Sequence, residues 1–235
     1  MGLPRDTDSY ESYTDQLVYF AARLEANPET ASLAESVFEL LGLIDADNDA
    51  IVQARRAEIR ARARRDHQDG LGDAGVRRFK RRIDAVGDGD LAQRLFPRGL
   101  KYAIAPSGRS QLERLNKLVQ AIDDLAASPR VAAHPEVEEI KEVLDKGKTT
   151  ILEALDKLSP LVDAWEAEVL DVARAVDAFR FRRSQGRRQL GAVMGELRAK
   201  LGGDEKAAYA YTQQDRPSGA GGGEEAVEDD APAEE

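Results

Sequence analysis

Over residues 136–201 the apolar positions recur at alternating steps of three and four: Val137, Ile140, Leu144, Ile151, Leu155, Leu158, Val162, Trp165, Val169, Val172, Val176, Phe179, Leu190, Val193 and Leu197. This is the heptad period of a helix laid along a partner, and it predicts a long, coiled-coil-like C-terminal helix. Two places interrupt it. Pro160 lacks an amide hydrogen and its ring crowds the preceding turn. The apolar phase nevertheless passes from Leu158 to Val162 without slipping, which favours a kink or a brief restart after the N-cap residue Ser159 over a hairpin. At FRFRRSQGRRQLG, Arg183 falls on a seam position and Gly186 is placed to cap a helix end. A separate final helix over 188–201 is the expectation.

The rest of the chain reads as helices of ordinary length. Tyr10, Tyr13, Leu17, Phe20 and Leu24 make one stripe, starting near Asp8 or Ser9 and ending before Pro28, where ANPE reads as a turn. Leu33, Val37, Leu40, Ile44, Ile51 and Ile59 make a second, from Glu29 or Thr30 toward His67. DHQDGLGDAG then reads as a glycine-rich turn, followed by a short basic amphipathic helix with Val76, Phe79, Ile83 and Val86 on one side. A loop-rich connection tucks Leu95, Phe96 and Tyr102 against the bundle. A fourth helix from Ser107 or Ser110 carries Leu112, Leu115, Leu118, Ile122 and Leu125 inward, and His134 with Pro135 opens the long seam. The fold expected is all-α: an elongated antiparallel helical bundle over residues 1–202. From 203 to 235 the composition turns to Gly, Ala, Pro and acid without apolar periodicity, which predicts a disordered acidic tail.

Composition narrows the chemistry. The 235 residues include no cysteine, which removes disulfides, thiolate metal sites and cysteine nucleophiles, and only two histidines, His67 and His134. No apolar run is long enough to cross a membrane. The opening MGLPRDTDSY lacks a secretory pattern, and Asp6 stands where a myristoylation signal needs Ser or Thr, so a cytoplasmic location is expected. The net charge of −10 is placed unevenly, with ten acids against Lys206 and Arg216 from residue 202 onward.

Three strings imitate functional motifs. GLGDAG at 70–75 matches a dinucleotide fingerprint but follows a helix where a strand is needed. GKTT at 147–150 ends like a phosphate-binding loop, yet lies inside the seam and has Glu142 where the leading glycine belongs. DADNDAIVQARR from Asp45 has calcium-loop carboxylates at its first, third and fifth positions, but Ala50 replaces the glycine and Arg56 the bidentate glutamate. Neither histidine belongs to a Glu-x-x-His metal pair, and no Ser, His and Asp grouping follows from spacing. Neither an enzymatic activity nor a cofactor or metal is expected.

The positive patches hold the functional promise. Arg55, Arg56, Arg60, Arg62, Arg64, Arg65, Arg77, Arg78, Lys80, Arg81 and Arg82 face only Glu58, Asp66, Asp69 and Asp73 between residues 55 and 82. Arg180, Arg182, Arg183, Arg187 and Arg188 form a second cluster. Such patches suit phosphate backbones, anionic lipid surfaces or acidic protein segments, while the plainer reading is a solvated helix face paired to neighbouring acids. The first expectation is a non-catalytic structural or interaction protein whose helical seam docks a protein partner or a second copy. The alternative is nucleic-acid association through these arginines, without sequence readout, with the acidic tail as an internal competitor. A third reading, from the enzyme class, is a helical bundle with a carboxylate or arginine site, and an anionic membrane surface is the least expected partner.

Overall fold

The computed structural model describes residues 3–5, 7–86 and 89–213. Among them the chain is helical throughout, with no strand. The elements are α1 (Tyr10–Glu25), α2 (Ala31–Val86), α3 (Gly89–Leu95), α4 (Gly99–Ile104), α5 (Arg109–Ala126), α6 (Pro129–Ala132), α7 (Val137–Lys200) and α8 (Glu205–Ala210). Ser9 opens α1 by accepting the Ser12 amide at 3.2 Å, as an N-cap serine should. The acidic segment over 214–235 lies outside the described residues.

Two long helices replace the breaks expected from glycine and proline. α2 runs without interruption through Gly70, Gly72 and Gly75, so DHQDGLGDAG is helix and not a turn. The reason is packing: a Cβ on Gly72 would touch Ala154 at 3.5 Å, and one on Gly75 would crowd Thr150 at 3.0 Å. The absent side chains let α2 and α7 approach closely, and antiparallel burial there outweighs the roughly 1 kcal/mol propensity cost of a helical glycine. α7 likewise passes through Pro160 and Gly186 to Lys200, with neither a restart nor a separate last helix. Leu158 and Val162 on either side of Pro160 are buried and hold its turn in place. A Cβ on Gly186 would lie 2.8 Å from Leu40 and 3.3 Å from the Tyr13 hydroxyl, so this glycine too serves close approach.

The helix ends where glycine is required. Gly202 and Gly203 take φ of 66° and 89°, and the Gly203 amide returns to the Arg198 carbonyl at 2.8 Å. This left-handed termination satisfies carbonyls that the last turn leaves open. Asp204 then caps α8 through the Ala207 amide at 3.0 Å, so residues 205–210, read from composition as tail, form a helix whose Ala208 is fully buried.

The described residues divide into two compact units, one formed by those up to 45 with 180–213, the other by those within 46–179. The first is discontinuous in sequence. Its core joins Tyr13, Leu17, Phe20 and Leu24 of α1, Leu33, Val37, Leu40 and Ile44 of α2, and Leu190, Val193 and Leu197 of α7. Tyr19 donates to the Gln213 carbonyl at 2.6 Å and Asn27 to the Tyr211 hydroxyl at 3.0 Å, fixing the segment after α8 to this unit. The second unit packs Val76, Phe79 and Ile83 of α2 with Leu91, Leu95 and Phe96, the Leu112–Leu125 stripe of α5, and Ile140, Leu144, Ile151, Leu158 and Val162 of α7. Tyr102, expected inside, is instead 44 % exposed.

Most of the heptad seam is therefore filled by the chain's own helices. The exception is 165–179, where Trp165, Val172, Val176 and Phe179 are half-buried and Val169 is 40 % exposed.

Candidate functional site

The eleven cations between 55 and 82 all lie on α2 within the second unit. A helix turns about 100° per residue. Ile51, Arg65, Gly72, Val76, Phe79 and Ile83 fall on its packed side and are buried. Arg55, Arg56, Arg60, Arg62 and Arg64, then Arg77, Arg78, Arg81 and Arg82, are exposed and spread over the remaining circumference, with Arg56, Arg60, Arg78 and Arg81 most nearly opposite the packed side and Arg55 and Arg62 flanking it. At 1.5 Å per residue this face extends about 40 Å, its two clusters centred about 30 Å apart. Ile59, 60 % exposed, and Leu71, 52 % exposed, interrupt the charge.

Neighbouring acids leave this face largely unneutralised. Lys80 is paired with Asp84 at 2.6 Å, and Arg77 lies near enough to Asp73 to lower that carboxyl's pKa. Among the described residues Arg55, Arg56, Arg60, Arg62, Arg64, Arg78, Arg81 and Arg82 have neither an ion-pair nor a hydrogen-bond partner. Two notches border the face. Arg78 and Arg82 join Lys146 of α7 around one of about 180 Å³, and Arg60 and Arg64 line another of about 250 Å³ opposite Glu168.

Arg65 does not belong to that face. It is 6 % exposed, stacked 4.0 Å over the Trp165 ring, with its Nε donating to Asp66 at 2.9 Å. The indole N–H donates to Glu58 at 2.9 Å. A guanidinium flat against an aromatic face is a packing element here. Arg183 is buried likewise, in the first unit, 4.2 Å over the Tyr13 ring, and donates to the carbonyls of Arg5 and Asp8 at 2.7 and 2.8 Å. Of its cluster, Arg180 is exposed and Arg182 half-buried, each engaged by a partner. Arg187 and Arg188 are exposed without a described partner. Sequence reasoning pooled sixteen cations that the fold sorts into external and structural ones.

Beside Arg65 lies a polar cluster that residue spacing alone did not single out. Burial pushes the Asp69 carboxyl up to about 6, with Asp73 and Asp66 adding repulsion and Arg65 opposing it. The Asp69 Oδ1 is buried without a hydrogen bond. Burial also raises Asp73, against the pull of Arg77 and of a 3.0 Å hydrogen bond from Gln111. The available signal was phase: positions 65, 69, 72 and 76 share the packed side of α2.

The linkage has a definite sign. A carboxyl whose folded pKa exceeds its unfolded value favours the fold while protonated, and that contribution is lost as pH rises through about 6. Asp69→Asn is therefore expected to stabilise the protein at pH 7.5 by about 1 kcal/mol after discounting for solvent screening. Below the ordinary carboxyl pKa the gain should vanish. Urea unfolding of both proteins at the two pH extremes checks this, and an equal gain at both would contradict it.

The three motif-like strings all lie within helices, at 45–56 and 70–75 in α2 and at 147–150 in α7. The hydroxyls of Thr149 and Thr150 donate to the carbonyls of Asp145 and Lys146, each at 2.9 Å, within α7. Asp45 accepts the Tyr10 hydroxyl at 2.7 Å. The His134 ring accepts the Glu136 amide at 3.1 Å at the entry to α7. Among the described residues no three His, Cys, Asp or Glu side chains converge to hold a metal, and no helix is long and apolar enough to cross a membrane. Comparison with models of protein families, with curated proteins and with solved structures finds no match.

Proposed function

We propose that this chain is an interaction protein that docks the phosphate backbone of duplex nucleic acid through the outward face of α2, without a chemical step of its own. The observation that carries this reading is the set of eight exposed arginines with no partner among the described residues, gathered on the solvent-accessible circumference of one helix. Guanidinium forks suit phosphate oxygens. A helix presenting them at intervals of a few residues contacts a backbone without reading bases. The alternative considered first from sequence, docking through the heptad seam, loses weight because most of that seam is filled from within.

Binding to a random-sequence duplex, followed by fluorescence anisotropy, is expected to weaken about 10³-fold between 50 and 200 mM salt if six or more phosphates are contacted. It should be indifferent to sequence. Replacing Arg55, Arg56, Arg60 and Arg64 together by alanine should lower the salt slope as well as the affinity. A chain ending at Gln213 should bind more tightly than the full chain if the acidic segment competes for the same face. Absence of binding at low salt, or a slope unchanged by the quadruple substitution, would overturn the assignment.

A second reading, docking of a protein or a second copy, is favoured by Val169, Leu170 and Ile59, which are 40 %, 58 % and 60 % exposed. A concentration-dependent mass in sedimentation that is lost on Leu170→Glu would support it.

A further inference from the structure

α3, α4 and α5 of the second unit surround a cavity of about 410 Å³ to which the arginine face contributes no residue. This volume falls in the range usual for small organic ligands, roughly 300–1,000 Å³. Its inner wall is apolar: Leu95 and Phe96, each 5 % exposed, stand with Leu118 of α5. The rim carries Arg94, Arg98, Arg114 and Lys117 against a single acid, Glu113.

Two of these cations are held in place before any ligand arrives. Arg98 lies 4.9 Å and Arg114 3.9 Å over the ring of Tyr102, and Arg114 also donates to the Tyr102 carbonyl. A guanidinium fixed by stacking keeps further N–H donors for an anion and loses little freedom on binding it. Arg94 is held by Asp90 at 3.1 Å. Lys117 is exposed and has no ion-pair or hydrogen-bond partner among the described residues. Fixed cations above an apolar wall call for a ligand with both parts: a bare anion leaves the wall wet, and a neutral apolar molecule leaves the cations unanswered.

We propose that this cavity binds a small organic phosphate with an apolar body, its phosphate taken by Arg98, Arg114 and Lys117 and its body laid on Leu95, Phe96 and Leu118. The site stands independently of the nucleic-acid reading, since none of its residues lies on α2.

The test is calorimetric titration of the full chain with phenyl phosphate, set against inorganic phosphate and benzyl alcohol. Phenyl phosphate is expected to bind at least about tenfold more tightly than either, the ring and the charge-assisted hydrogen bonds each contributing that factor. Lys117→Ala should weaken it about tenfold while leaving the urea midpoint in place, because Lys117 supports nothing in the fold. Arg114→Lys should weaken it further, since a point charge does not replace the fork. Equal affinity for inorganic phosphate would remove the apolar wall from the site, and equal affinity for benzyl alcohol would remove the cations. No binding at millimolar phenyl phosphate, or unchanged affinity in Lys117→Ala, would overturn the proposal.

Discussion

Gly147→Ala is expected to destabilise the second unit by about 2 kcal/mol, the opposite of what alanine does on an exposed helix surface, where it gains roughly 1 kcal/mol over glycine. A Cβ at this position would overlap the Phe79 ring, whose Cγ lies only 2.9 Å from where it would sit. Phe79 cannot yield easily: it is 3 % exposed and packs against Phe96 at a centroid distance of 6.2 Å. Either α7 moves away from α2 or the ring leaves its well, and both open space elsewhere in a close-packed core. Urea unfolding followed by circular dichroism measures the loss. Phe79→Leu added to Gly147→Ala should recover part of it, because the two sites share one contact and their effects do not add. Gly70→Ala, with nothing within 4 Å of the new carbon, should instead stabilise by a few tenths to 1 kcal/mol. Equal effects at the two glycines would show that the close approach of α2 and α7 is not what Gly147 serves.

Arg183→Met should cost the first unit about 3 kcal/mol. The methionine refills the volume over Tyr13 but leaves the carbonyls of Arg5 and Asp8 without the donors they have at 2.7 and 2.8 Å. These two bonds tie the segment before α1 to α7, so hydrogen exchange in the first turn of α1 should rise together with the loss of stability. Arg187→Ala, four residues along the same helix at an exposed position, is expected to change stability by less than about 0.5 kcal/mol. The pair separates the structural arginine from its neighbour in a cluster that residue type alone presents as uniform. A neutral Arg183→Met would mean that the guanidinium costs as much to bury as its hydrogen bonds return.

What was legible in the sequence was the periodic part. The stripes of α1, α5 and α7, the Ser9 cap and the all-helical class follow from local rules of phase and capping, and the stripes name most of the buried residues, the half-open run over 165–179 apart. What was not legible depended on a neighbour. Gly72, Gly75 and Gly186 read as breakers because propensity is a property of one residue, whereas their role is set by Ala154, Thr150 and Leu40 across an interface. The phase of Gly72 and Gly75 with Val76 and Phe79, and of Gly186 with Leu190 and Val193, was the usable sign. Arg65 and Arg183 sat in the same strings as external arginines, and only the rings of Trp165 and Tyr13 distinguish them. The cavity around Tyr102 lies within residues 94–121 but joins three helices separated by turns, so no single run of periodicity outlines it.

The discontinuity of the first unit bears on how the chain is made. The second unit, 46–179, is one unbroken stretch and has all of its core partners once that stretch has left the ribosome. Tyr13, Leu17, Phe20 and Leu24 emerge first, yet Leu190, Val193 and Leu197, which complete their core, emerge last. During synthesis the N-terminal hairpin of α1 and the start of α2 therefore holds an open apolar face while the whole intervening unit is translated. Chains that stall before Leu190 should be the ones that need a chaperone, even though the larger part of the protein has already folded.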